Sequence, residues 1–92
     1  MTYYIVMNEW LYPTESGREF IGDYDTLAIA REQAKFEYTN EIDNFLDVNG
    51  EIYTQGETVN SKGECEGYII CSSQYEEENM FFRSVIIKRE VP

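Results

Sequence analysis

From Leu27 onward, apolar residues recur at intervals of three and four: Leu27, Ala30, Ala34, Tyr38, Ile42 and Phe45. At about 100° per residue this spacing forms one stripe along a helix. Asp25-Thr26 precedes the stripe, and either side-chain oxygen can accept from the orphan amides of a first helical turn. Asn49-Gly50 supplies a stop, so the pattern predicts a helix from Leu27 to about Asp47. Around it the pattern turns to strands. Tyr3 to Tyr12 is rich in aromatic and β-branched residues and predicts a strand. Pro13 to Gly17 has the composition of a turn, and Arg18 to Tyr24 returns as a second, antiparallel strand. Beyond the helix, Ile52 to Val59 predicts a weak strand and Asn60 to Gly63 a turn. Tyr68 to Ser73 predicts a strong strand, Tyr75 to Asn79 a polar connection, and Met80 to Arg89 a last strand centred on Val85, Ile86 and Ile87. The order ββαβββ implies an α+β fold, one long helix on an antiparallel sheet of four to five strands. Ile5, Leu27, Ala34, Tyr38, Ile42, Phe45, Ile70, Val85 and Ile87 are its expected core.

The chain has 92 residues, enough for one domain with one modest core. Residues 3–7 form an apolar run that Asn8 and Glu9 end, with no basic stretch before it. That is far short of the ~20 apolar residues of a membrane span and unlike a secretory leader, so a cytoplasmic protein is expected. Two cysteines cannot build a disulfide framework or a four-thiolate zinc site. Cys71, in the run Tyr68-Ile69-Ile70-Cys71, reads as a small buried hydrophobe. Cys65, between Glu64 and Glu66, sits where negative charge disfavours the thiolate.

Charge changes the picture most. Eighteen acids face seven bases, a formal charge of −11, and there is no histidine. Residues 1–35 carry six acids and three bases, residues 36–82 eleven acids and one base, and residues 83–92 three bases and one acid. Solubility of a small domain asks for a net charge of about 2–8, so the excess carries a cost in self-repulsion that a partner can relieve. The balance opposes direct binding of DNA or RNA, which depends on Lys and Arg at phosphates, and docking on anionic lipid. Lack of histidine removes the commonest general base and the usual zinc ligand.

Motifs for catalysis or cofactors fail one by one. No glycine-rich phosphate loop exists, and Ser72 and Ser73 have no histidine to activate them. Aligning Gly50 to the sixth position of a calcium loop puts Phe45 first and Gly56 twelfth, where oxygen ligands are required. No catalytic residue, metal ligand or cofactor is therefore expected.

What remains is a binding surface. Glu32, Asp43 and Asp47 lie on the helix face opposite the apolar stripe, together with Ile29 and Phe36, while Glu37 and Glu41 border the stripe. Ile29 and Phe36 are either covered by another segment or form a docking face, with Phe36 as an apolar anchor among steering acids. Glu64, Glu66 and the run Glu76-Glu77-Glu78 extend the negative set.

These residues, with Glu51 and Glu57, give a composition that resembles the small acidic proteins of bacteriophages and mobile elements, notably anti-CRISPR and antirestriction proteins. The opening strand followed by Asp23-Tyr24-Asp25-Thr26 and an acidic helix also resembles small proteins of gut-bacterial mobile elements. The resemblance implies an inhibitor that occupies the basic groove of a host nucleic-acid-handling protein. The alternative is a non-catalytic structural or adaptor protein with a solvated acidic exterior, a homodimer joined through a sheet edge.

Overall fold

A computed structural model describes residues 1–72 and 80–92. The strands are β1 (Thr2–Leu11), β2 (Ser16–Tyr24), β3 (Thr54–Val59), β4 (Cys65–Cys71) and β5 (Phe81–Glu90), and the helix is α1 (Leu27–Asn49). The order is the expected ββαβββ, and the fold is α+β: one helix on a five-stranded antiparallel sheet, ordered β2-β1-β5-β4-β3. The first and last strands pair over ten positions at the centre, from Thr2↔Glu90 to Leu11↔Phe81. Strand ends differ from the sequence reading by at most three residues, and those at Tyr24 and Val59 coincide with it. β4 differs most, starting at Cys65 because Gly67 continues the ladder opposite Thr58 and Val85. The expected connection Tyr75–Asn79 lies outside the described residues.

The helix begins and ends for the predicted reasons. Thr26 has extended backbone angles, and its hydroxyl accepts from the Ile29 amide at 3.2 Å. Gly50 takes a left-handed conformation (φ 83°) and its amide donates to the Leu46 carbonyl at 2.8 Å. Between these caps α1 is about 34 Å long, matching a ten-residue strand, so it crosses one whole face of the sheet.

Beneath the helix lie two apolar clusters. One joins Val6, Ala30, Ala34, Tyr68 and Ile86, and the other joins Tyr12, Phe45, Ile70 and Phe82. Tyr38 packs against both, stacked on Tyr68 at 5.3 Å. Between the clusters runs a polar row: Asn8 and Ser84, partners in register on β1 and β5, both buried.

The sheet corrects part of the expected core. Ala34, Phe45 and Ile70 are buried, and Leu27, Tyr38 and Ile42 pack against the clusters. Ile5, Val85 and Ile87 are only half-buried. Side chains alternate across a strand, so the burial of Val6 and Ile86 under the helix turns their neighbours to the other face. Ile29 and Phe36 are not covered: they are 49% and 58% exposed.

Candidate functional site

A cleft of about 340 Å³ opens between the middle of α1 and strands β1 and β2. Local periodicity builds its walls. Glu37, Asn40, Glu41 and Asn44 follow the i, i+3, i+4, i+7 spacing of one helix face. Asn8 and Trp10 alternate with outward residues on β1, Tyr12 follows them, and Phe82 closes the floor. Glu15 comes from the β1–β2 turn, and Glu19 lies opposite Asn8 in the β1–β2 register.

Four carboxylates thus line one cleft, and the side chains that donate to Glu37 and Glu41 are neutral. Asn8 Nδ2 donates to Glu37 Oε1 at 3.0 Å, and Gln33 Nε2 donates to Glu37 Oε2 at 3.4 Å. The Tyr12 hydroxyl donates to Glu41 Oε1 at 2.5 Å, and Asn44 Nδ2 donates to the same oxygen at 2.6 Å. Burial, then the Glu41 carboxylate it serves, push the Tyr12 hydroxyl well above its ordinary range, so it stays a donor. Among the described residues the ion pairs lie elsewhere: Arg31–Glu57 at 2.6 Å, Arg83–Glu9 at 2.8 Å and Lys88–Glu90 at 3.5 Å. Among the described residues no base lines the cleft.

The polar row of the core meets this cleft. Asn8 is 95% buried, and the carboxylate of Glu37 fixes which end of its amide donates. Its Oδ1 then remains an acceptor without a partner, as does the Oγ of Ser84 beside it in register. Both oxygens are closed off from solvent, so what the cleft offers a ligand is its carboxylate oxygens beside the Trp10 ring, a chemistry suited to a donor-rich organic cation. Among the described residues no three acidic or thiol groups are placed to hold a metal ion.

The expected site residues divide into separate groups. Glu37 and Glu41 enter the cleft. Phe36, Asp43 and Asp47 lie on the exposed side of α1. Glu32 lines another hollow, together with Arg31 and Lys35. Glu64 and Glu66 line another cleft, beside Tyr4, Leu27 and Lys88, and Glu64 accepts from Asn60 Nδ2 at 3.2 Å. Glu76, Glu77 and Glu78 lie outside the described residues. Glu15 and Glu19 escaped the sequence reading, because their proximity to the helix follows from the β1–β2 hairpin. The visible signal was the placement of Glu19 on a strand returning alongside Asn8.

The cysteines fit no reactive role. Burial pushes both thiols up, with the Glu57 charge contributing at Cys65, a residue from another strand and not its sequence neighbours. Cys71 is half-buried on the face away from the helix. No helix among the described residues is long and apolar enough to cross a membrane. Comparison with protein-family models, with curated proteins and with solved structures finds no match to this chain.

Proposed function

We propose that this protein is an acidic protein-binding module that inhibits a nucleic-acid-handling protein of a bacterial host, such as a CRISPR effector or a restriction enzyme, by occupying its basic groove. The observation that carries the reading is the cleft: four carboxylates with no base lining it among the described residues, floored by aromatic rings and bordered by the exposed acidic side of α1. A groove built for phosphates presents Arg and Lys, and this cleft has the charge and the acceptors to take such side chains. Phe36 adds an exposed apolar anchor nearby. The second half of α1 carries Glu37, Glu41, Asp43 and Asp47 with no base, toward the helix end where the macrodipole favours cations. A basic partner relieves that unfavourable arrangement.

Capture from a bacterial lysate at low salt, followed by elution at high salt and mass spectrometry, identifies the partner. Its association rate falls steeply with salt, because exposed charges are screened within a Debye length of about 8 Å at physiological ionic strength. A single exposed charge removal changes affinity little, since one such ion pair is worth about 0–1 kcal/mol. Joint reversal of Glu15 and Glu19, or of Glu37 and Glu41, to lysine abolishes binding. Phe36→Ala speeds dissociation. Thermal melts verify folding, and the exposed Glu15 and Glu19 carry the test if the helix variants unfold. Unchanged affinity in folded variants returns the acidic face to the role of a solvated exterior.

A further inference from the structure

The helix covers one face of the sheet. The other face carries no covering element among the described residues, yet its central side chains are apolar. At its centre Ile5 pairs with Ile87 and Met7 with Val85, while Ile69 follows on β4 and Phe20 on β2. Phe20 is 59% exposed. Antiparallel sheets with one solvated face ordinarily alternate apolar-in and polar-out, and here both phases of β5 are apolar at Val85-Ile86-Ile87. The charge on this face is also unlike the rest of the molecule. Its charged residues are Glu9, Asp23, Arg18, Arg83 and Arg89, two acids against three bases, in a chain of net −11.

We propose that this face binds a second copy of the chain, two sheets stacking into a sandwich with the helices outside. Area, charge and geometry all favour this occupant. Strands of six to ten residues, about 4.8 Å apart with a rise of about 3.4 Å per residue, outline roughly 700 Å². A stable interface takes about 800 Å² from each partner. The apolar centre has a rim of arginines and acids, the anatomy of a protein interface. A basic partner suited to the acidic helix side finds no net negative charge here, whereas a copy of this face brings both signs to meet its own. Stacked sheets lie about 10 Å apart, and each helix lies about 10 Å beyond its sheet. The acidic helices of the pair are then separated by several Debye lengths, so the net charge does little to oppose association. Both clefts stay open, so the dimer neither requires nor blocks the partner proposed above.

Sedimentation equilibrium across micromolar to submillimolar protein tests the proposal. The wild type sediments as a dimer, and Val85→Lys weakens the dimer by on the order of tenfold or more. Phe20→Lys, at an exposed site on an edge strand, weakens it too and decides the matter if Val85→Lys fails to fold. Asp43→Lys, on the exposed side of the helix, leaves the dimer intact. Alkylation of Cys71 in a Cys65→Ser background slows as protein concentration rises. Added salt leaves the dimer intact or tightens it, whereas capture of a basic partner through the cleft weakens, so the two readings fail separately. A wild type that stays monomeric throughout overturns the proposal. So does a dimer that survives in folded Val85→Lys and Phe20→Lys, or one that Asp43→Lys alone disrupts.

Discussion

Ile69 and Ile70 are adjacent on one strand and meet different worlds. Ile70 is fully buried against Phe45, Tyr12 and Phe82 beneath the helix. Ile69 is half-buried, beside Arg83 in register on the face that no described element covers. The same contrast separates Val85 from Ile86 and Ile5 from Val6. A sheet one residue thick thus parts two surfaces of similar apolarity and different charge. On the helix side, four carboxylates line one cleft that no described base lines. On the other side, three of the seven bases meet two acids. Net charge is therefore a poor description of this molecule, because its acidity belongs to particular surfaces.

The sharpest way to break the comparison is to truncate the two isoleucines separately. Ile70→Ala costs about 2–5 kcal/mol, the range for removing a large side chain from a closed core. Ile69→Ala costs markedly less in dilute protein, as measured by denaturant unfolding. Equal losses would mean that the outer face is as well packed as the inner one. If the outer face joins two copies, the Ile69→Ala penalty grows with protein concentration, because association stabilises the folded state by mass action.

Gly67 tests the outer face in another way. Its φ of 137° is one that side chains rarely adopt, and an added Cβ would press on the Ser84 carbonyl and lie 3.0 Å from Val85 Cα. Gly67→Ala therefore destabilises by about 1–3 kcal/mol from backbone strain, and further as β4 is pushed from β5. Calorimetry reads this as a lowered Tm. A neutral result would mean that this part of the sheet yields freely.

A smaller effect concerns the helix that makes the faces unequal. Thr26→Ala removes the hydroxyl that caps Ile29 and costs about 0.5–2 kcal/mol. The loss falls on the covered face, so amide exchange rises in α1 first. Uniform acceleration through the whole sheet would show that helix and sheet open only together.

The smallest effect is one of pH. The Tyr12 pKa is raised by folding, so the protonated hydroxyl is favoured in the folded chain. Its contribution is complete below the ordinary tyrosine value near 10 and is lost as pH rises above it, where the unfolded chain releases this proton and the folded chain holds it. Tyr12→Phe removes that contribution, so thermal melts from about pH 9 to 11 show a shallower alkaline decline in the variant than in the wild type. Parallel declines would mean that Tyr12 is not held by burial and Glu41.

Much of the architecture was legible because it is locally encoded. The three-and-four spacing from Leu27 to Phe45 has only one way to become a stripe, and Thr26 and Gly50 mark its ends through bonds to residues three and four positions away. The turn residues and apolar runs likewise place five strands to within a few residues. Glu37 and Glu41 were legible for the same reason, as neighbours on one helix face. Tertiary structure alone decided which phase of each strand meets the helix. Val85, Ile86 and Ile87 are equally apolar, so their sequence holds no signal for which of them is buried; the side of the sheet that α1 crosses makes that choice. It also decided the cleft, since Glu15 and Glu19 come to line one hollow with Glu37 and Glu41 only through a hairpin and a crossing helix. Short-range hydrogen bonds and periodicity act within a few residues and can be read along the chain. Burial and the summation of charge depend on contacts between residues far apart in sequence, and those exist only once the chain has folded.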